Sequence, residues 1–152
     1  MKSSEPVSSS VRKSLFELVG GRPVVERVHK IFYDKAYKHP WLGLFFEGID
    51  QKHIENQQTD FMIANMGGPK SYCGKFPIPA HLNMNITAEL FDLRHEMLKE
   101  SLVEARVPAD AAARWLEMDY AFRRRLVKET IDDCKKRFFT DVIIDHPDPT
   151  KK

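Results

Sequence analysis

A histidine, a tyrosine and two glutamines are the side chains of this 152-residue chain best suited to binding chemistry. The imidazole of His81 can ligate a metal through one nitrogen while the other nitrogen donates to a backbone carbonyl. The phenol of Tyr33 and the amides of Gln57 and Gln58 can donate hydrogen bonds to a ligand that carries partial negative charge. Together these groups could hold a metal and a small polar ligand.

His81 lies in a region with no clean helical period. It follows a glycine break, Gly67-Gly68-Pro69, and the segment Pro77-Ile78-Pro79-Ala80. We expect a loop from residue 69 to residue 85 with a short helical turn around His81, and a loop of that length is usually functional. The alternative is an ordinary surface or capping histidine. Among the other histidines, only His53 and His95 lie where a helix could direct them at a shared site.

Outside that loop, apolar residues recur at three- and four-residue spacing, which predicts helices. The expected helices run over residues 24–39, 51–66 and 85–104, and over a last helix from residue 108 to about residue 138. Pro40 and Pro108 mark boundaries, and Asp50 is placed to cap the second of these helices. Because no strand pattern is evident, the predicted fold class is all-α.

The helix after Asp50 should present one polar side chain in an apolar stripe. Ile54, Gln58 and Phe61 lie at i, i+4 and i+7 and therefore share a face. An amide in the middle of that stripe needs a partner, since burying it unpaired is costly. Gln57 is one position round and closer to the edge. For Tyr33 the alternative is a core aromatic whose hydroxyl reaches the surface.

Composition excludes several classes of function. The formal charge is only +2, with 24 basic and 22 acidic residues interspersed, so nothing favours a nucleic-acid partner. No apolar run approaches the roughly 20 residues needed to span a bilayer, so no membrane partner is expected. The two cysteines, Cys73 and Cys134, are far apart, and the first residues lack a signal-peptide core. A reduced, cytoplasmic protein is the expectation.

The order of these features resembles that of the truncated haemoglobins, short two-on-two globins, and most of all their group I branch. The resemblance runs from about Ser14 to Val107-Pro108 and is carried by Gly20-Gly21, Phe32-Tyr33, Phe45-Phe46, Gln57-Gln58, Gly67-Gly68-Pro69, His81, Ile86-Thr87 and Phe91. It implies a helical sandwich around haem b. The Ser-rich first residues favour a flexible tail over residues 1–12, followed by the globin domain over 13–140, with an extended C-terminal helix, and an extension over 141–152.

The same resemblance implies roles for individual residues. His81 would be the proximal ligand of the iron, and Tyr33, Gln58 and Gln57 would face the bound gas. Ile54 would replace the distal histidine of ordinary globins, and Phe46 would stack on the haem, whereas Phe45 could be plain core. The remaining expected haem contacts are Phe61, Tyr72, Lys75, Ile86 and Phe91.

Arg94 departs from the family pattern. It lies near the centre of an apolar stripe formed by Leu90, Phe91, Met97 and Leu98, where the family usually carries an apolar or aromatic residue. A charge is almost never fully buried without a partner. One interpretation is that Arg94 extends along the helix to solvent. The other is that its guanidinium joins the distal site and reaches the bound ligand, a water network or a haem propionate.

The C-terminus also departs from the pattern, because an apolar run continues through Phe138-Phe139-Thr140-Asp141-Val142-Ile143-Ile144. An exposed run of that size normally finds a cover. It could pack back on its own domain or form a homodimer contact, and both alternatives stay open.

Three functions would use such a pocket. The first is dioxygen binding coupled to oxidation of nitric oxide to nitrate, for which a reductase must return the iron to the ferrous state. The second is a carrier or sensor of dioxygen, nitric oxide or carbon monoxide that acts through a partner protein. The third is peroxide chemistry, suggested by Arg94 beside Tyr33 and Gln58. A haem-free helical interaction module would leave the coexistence of Tyr33, Gln58 and His81 without a reason.

Overall fold

The computed structural model describes residues 13–69, 80–136 and 141–151. The α-helices in this part of the chain are α1 (Leu15–Val19), α2 (Arg22–Lys38), α3 (Gln51–Asn65), α4 (Ala88–Glu104), α5 (Ala109–Tyr120) and α6 (Arg123–Leu126), with short 3₁₀ helices at Leu42–Phe46 and Ile131–Asp133. None of the described residues forms a strand beyond one isolated bridge. The all-α prediction is confirmed.

Local capping signals in the sequence fix where several helices begin. The Ser14 hydroxyl accepts a hydrogen bond from the Glu17 amide at 3.2 Å while the Glu17 carboxylate accepts from the Ser14 amide at 3.1 Å, a capping box that starts α1. Asp50 accepts from the His53 amide at 2.9 Å and starts α3, as the sequence predicted. Thr87 accepts from the Leu90 amide at 3.1 Å and starts α4.

Helix α2 is the centre of the packing. It contacts α3 on one side and α4 on another, and α4 in turn packs against α5. The fully buried side chains at these contacts include Trp115, Phe91, Leu102, Val25 and Val28. Each such apolar side chain contributes about 1.5 to 3 kcal/mol to the stability of the fold when it is buried rather than exposed. The helices are therefore positioned by tertiary packing rather than by their intrinsic propensity.

The predicted long last helix is wrong. Helix α5 ends at Tyr120, α6 is a single turn, and the backbone at Val127 is extended with φ −74° and ψ 133°. The physical reason is a competing tertiary bond, because the Lys128 amide donates to the carbonyl of Ile86 at 2.8 Å instead of continuing the helix. Helical spacing of apolar residues persists there without a helix, and the described C-terminal extension contains no α-helix.

The described residues beyond 140 pack on their own chain. Ile144 forms a parallel bridge with Met84, with the Ile144 amide donating to the Asn83 carbonyl at 2.7 Å and the Asn85 amide donating to the Ile144 carbonyl at 2.8 Å. The Trp41 indole donates to the carbonyl of His146 at 2.5 Å. Of the two alternatives for this extension, packing back on the domain is thus observed for residues 141–146. Phe138 and Phe139 lie outside the described residues.

The longest described helices, α2 and α4, carry many charged residues along their lengths. Among the helices of the described segments, none combines the length and apolar character required to cross a bilayer.

Candidate functional site

A cavity of about 270 Å³ lies between α2, α3, α4, α5 and the segment that begins at Ala80. Its wall is mostly apolar, and it contains these residues singled out from the sequence: Tyr33, Phe46, Ile54, Gln57, Gln58, Phe61, His81, Ile86, Phe91 and Arg94. Tyr72 and Lys75 lie outside the described residues. The fold therefore brings these residues from five separate parts of the chain to one cavity.

His81 contributes the one imidazole that lines this cavity among the described residues. Ala80 and His81 are helical, as expected for a short turn there. The two rival histidines lie elsewhere: His53 is exposed on α3, and the His95 ring hydrogen-bonds Asp119 at 2.8 Å. Neither His53 nor His95 lines the cavity.

His29 is buried on α2 and serves a structural role. Its Nδ1 hydrogen-bonds the Thr59 hydroxyl at 2.8 Å, and its ring meets the Trp115 ring edge-on at a centroid distance of 5.7 Å. Burial, with a further contribution from the positive charge of Arg94, lowers the pKa of His29 to about 3. The imidazole is therefore neutral at physiological pH and packs as part of the core.

Tyr33 places a phenol in the cavity wall. Its ring is buried and packs edge-on against Phe32 at 4.9 Å and against Phe46 at 5.7 Å between centroids. The residue is only 6% exposed, and it lines the cavity from α2. Burial raises the pKa of this phenol, so it stays protonated and able to donate at neutral pH. The alternative of a hydroxyl satisfied at the surface is not what the structure shows.

The two glutamines enter the cavity from α3. Gln58 is half-buried, whereas Gln57 is exposed although it also lines the cavity. This difference follows the helical geometry that put Gln57 at the edge of the stripe. Ile54 and Phe61 line the cavity from the same helix. An amide donor is therefore framed by apolar side chains, as the spacing predicted.

The adjacent residues Phe45 and Phe46 both line the cavity, so their roles differ less than the sequence analysis expected. Phe46 stacks on Tyr37 with an interplanar angle of 18° and a centroid distance of 4.9 Å. Phe45 is the more buried and meets the ring of His146 edge-on at 4.9 Å. Phe45 is thus both core and cavity wall, and it connects the cavity to the C-terminal extension.

Arg94 has a carboxylate partner that the sequence analysis did not consider. Its Nη1 and Nη2 donate to the two oxygens of Asp119 at 2.9 and 2.7 Å, and both residues line the cavity. The guanidinium carbon also lies over the rings of Phe91 and Phe32, 5.3 and 5.7 Å from the centroids. The charge of Arg94 is therefore paired with a carboxylate, and its side chain is 26% exposed.

The electrostatics of this pair favour its charged form. Burial alone would raise the pKa of Asp119, but the positive charge of Arg94 and hydrogen bonds from His95 and Arg94 lower it to about 2. The pKa of Arg94 is raised: burial lowers it, and the Asp119 carboxylate more than offsets that effect. The bidentate geometry is the one in which guanidinium and carboxylate interact most strongly.

Sequence reasoning missed several residues of the site. Asp119, Phe122 and Leu126 line the cavity from the region that was expected to be one long helix. A signal for Asp119 was present, since it lies four residues after Trp115 on the apolar stripe and a buried Arg94 requires an acid. Lys128 is also buried, and burial lowers the pKa of its ammonium group. Nothing in its sequence position indicated that burial.

Known proteins are similar to this chain in sequence and in fold. Residues 14–127 match the model of the bacterial-like globin family. A group 1 truncated haemoglobin of Tetrahymena pyriformis is 34% identical over 95 residues, which is 62% of this chain and 78% of that protein. The crystal structure of truncated haemoglobin from Tetrahymena pyriformis in the Fe(III) form superposes with a TM-score of 0.71 and 28% identity, covering 77% of this chain and all of the other. The 2/2 haemoglobin from a Synechococcus strain, solved with covalently attached haem, gives a TM-score of 0.67 at 26% identity, covering 74% of this chain and 95% of the other.

The fold and the sequence together define a two-on-two globin. The chain belongs to the bacterial-like globin family and is a truncated haemoglobin, most similar to the group 1 proteins. Its cavity fits the haem b cofactor of that family, because a mostly apolar wall surrounds one imidazole and one buried phenol among the described residues. Haem-based binding of diatomic gases follows from that membership.

Proposed function

We propose that this protein binds dioxygen reversibly, with His81 as the proximal ligand of the haem iron and Tyr33 as the principal hydrogen-bond donor to the bound gas. The observation that carries the proposal is the convergence of one imidazole and one buried phenol on the same cavity among the described residues. When bound, ferrous haem supplies the open coordination position at which a diatomic gas binds.

The chain's own side chains set the properties of that position. A protonated Tyr33 and the Gln58 amide can donate to a ligand that carries partial negative charge, and the apolar wall keeps these hydrogen bonds strong by excluding water. Phe46, Phe61 and Phe91 offer faces and edges on which a flat macrocycle can pack. Donors in an otherwise apolar cavity favour slow release of dioxygen.

Replacing Tyr33 with phenylalanine should therefore speed the release of dioxygen roughly ten- to hundred-fold, since one hydrogen bond to a partly anionic ligand contributes about 1 to 3 kcal/mol. Gln58→Leu should have a comparable or smaller effect. Stopped-flow measurement of the release rate checks both. Tyr37→Phe is the matched control, because that hydroxyl donates to the carbonyl of Ile49 at 2.8 Å and Tyr37 does not line the cavity. Wild-type release rates in both cavity variants would contradict the proposed donors.

A finer proposal is that the bound dioxygen serves to oxidise nitric oxide. Nitric oxide, dioxygen and one electron combine to give nitrate, and the electron comes from ferrous iron, which is left ferric. A reductase must then restore the ferrous state. Retention of dioxygen by Tyr33 and Gln58 supports this use, because the gas must stay bound until nitric oxide arrives.

Mixing the oxygenated protein with one equivalent of nitric oxide should give close to one equivalent of nitrate and the ferric absorption spectrum. Nitrate is measured by ion chromatography and the iron by its Soret band. Displacement of dioxygen by nitric oxide without formation of nitrate would contradict the dioxygenase proposal. The remaining function would then be that of a gas carrier or sensor that acts through a partner protein and uses the same cavity.

The peroxide hypothesis was motivated by Arg94 beside Tyr33 and Gln58, and these three residues line the same cavity. Because both terminal nitrogens of Arg94 donate to Asp119, we favour dioxygen binding over peroxide chemistry.

A further inference from the structure

The ammonium group of Lys128 holds the backbone of the segment that carries His81. Its Nζ donates to the carbonyl oxygens of His81 at 2.9 Å, Met84 at 2.8 Å and Leu126 at 3.1 Å. The Lys128 amide donates to the carbonyl of Ile86 at 2.8 Å. An ammonium group has three hydrogens. The ammonium group thus donates to three backbone carbonyls. Lys128 contacts the segment from His81 to Ile86 near both of its ends.

The side chain is also buried, with the whole residue 9% exposed. Lysine is almost never buried unless it is paired, because an ammonium loses its hydration on burial. Backbone carbonyl oxygens carry partial negative charge, and each has two lone pairs with which it can accept hydrogen bonds. Here three of them replace water around one cation. A packing role alone would be met more favourably by an apolar side chain of similar length.

The segment from His81 to Ile86 depends on such external anchors. Its own described backbone bonds are two short-range contacts, from the Met84 amide to the His81 carbonyl at 3.1 Å and from the Ile86 amide to the Met84 carbonyl at 3.0 Å. The other anchors come from the C-terminal part of the chain, including the bridge with Ile144 described above. Lys128 differs from these anchors because it contacts the peptide of His81 itself.

We propose that Lys128 is a positioning residue for His81. It fixes the peptide that bears the imidazole and so sets the orientation and the strength of the bond from that imidazole to the iron. The proposal rests on the proposed assignment of His81 as the proximal ligand. Groups behind a metal-ligating histidine commonly orient the ring and tune the metal. A cation beside this peptide also opposes further positive charge at the iron and favours the ferrous state.

The test compares Lys128→Met with Lys136→Met in the haem-loaded full chain, since Lys136 is an exposed lysine in the same region. Loss of the three hydrogen bonds in Lys128→Met should speed haem transfer to an acceptor globin roughly ten- to hundred-fold. It should also shift the iron–histidine stretching frequency of the ferrous protein and lower the reduction potential. Lys136→Met should match the wild type in all three measurements. Wild-type frequency and potential in Lys128→Met would overturn the proposal even if its melting temperature fell.

Combining Lys128→Met with His81→Gly distinguishes a positioning role of Lys128 from a general loss of structure. In His81→Gly supplied with imidazole, the ligand is no longer attached to the backbone, so Lys128→Met should no longer change the iron–imidazole frequency. A persisting change would overturn the proposal. If His81→Gly instead keeps the wild-type iron–histidine frequency, the proximal assignment fails, which is a different outcome from failure of the Lys128 role.

If Lys128→Met does not fold, Lys128→Arg provides the test. A guanidinium keeps the charge, but its planar donors cannot point at three carbonyls as an ammonium does. The proposal then requires a near wild-type potential with a shifted iron–histidine frequency. A wild-type frequency in Lys128→Arg would overturn it.

Discussion

A His81→Gly variant is expected to purify with little or no haem and to regain a Soret band when imidazole is added. The reason is that no other described histidine lines the cavity, so the iron would lose its protein ligand and the haem its strongest attachment. Absorption spectra of the ferric, ferrous and carbonyl forms, recorded with and without imidazole, provide the measurement. We expect haem occupancy to fall by at least an order of magnitude, in line with the cost of losing a metal ligand.

His53→Ala is the appropriate control, because His53 is an exposed histidine on α3 outside the cavity. It should retain haem and show the spectrum of the wild type. A His81→Gly protein with a wild-type ferrous spectrum would refute the proximal assignment, together with the account of gas binding built on it.

Arg94→Leu is expected to destabilise the protein by about 3 to 5 kcal/mol, because it leaves the carboxylate of Asp119 buried with only His95 as a partner. Asp119→Leu should be comparably destabilising for the converse reason. The double variant Arg94→Leu/Asp119→Leu should recover most of the loss, since replacing a buried ion pair with apolar side chains is often close to neutral. Urea unfolding of the haem-loaded protein measures all three free energies.

The exposed pair of Arg123 and Asp92 is a matched control for this cycle. It has similar hydrogen-bond lengths of 2.9 and 3.1 Å, but the Asp92 side chain is 52% exposed. Its removal should cost less than about 1 kcal/mol, because solvent screens such pairs. If Arg94→Leu costs no more than Arg123→Leu, the Arg94 pair contributes no more than a surface pair.

The carbonyl complex of the same Arg94 variant tests whether the ion pair acts on the bound gas. Arg94 and Asp119 both line the cavity, so removal of either changes the electric field inside it. A shift in the carbon monoxide stretching frequency in the single variants would place the pair within reach of the ligand. Loss of haem without such a shift would instead indicate a role in holding the cofactor.

Local signals in the sequence were sufficient for the start of α3. A cap residue acts within one turn, so the role of Asp50 can be derived from neighbouring residues alone, whereas α4 begins at Ala88 after the Thr87 cap, three residues later than expected. The cavity residues could be predicted in a different way. Helical spacing placed Ile54, Gln58 and Phe61 on one face, and the ordered family pattern paired that face with His81.

The C-terminal part of the chain shows where local reasoning fails. Apolar residues from Trp115 to Phe138 keep helical spacing, yet the chain leaves the helix because the Lys128 amide bonds to Ile86, more than forty residues away. Spacing reports which side chains would share a face if a helix formed. It does not report which backbone groups find stronger partners elsewhere in the fold.

The sequence by itself determined the helical class and the haem-binding pattern, and it marked Arg94 as a charge within an apolar stripe. Only the tertiary structure decided that the partner is Asp119 and that Lys128 holds the peptide of His81. The physical reason is the separation along the chain between the interacting groups. Caps and helix faces depend on residues within a few positions, whereas buried charges are satisfied by groups that only the folded chain brings within hydrogen-bonding distance.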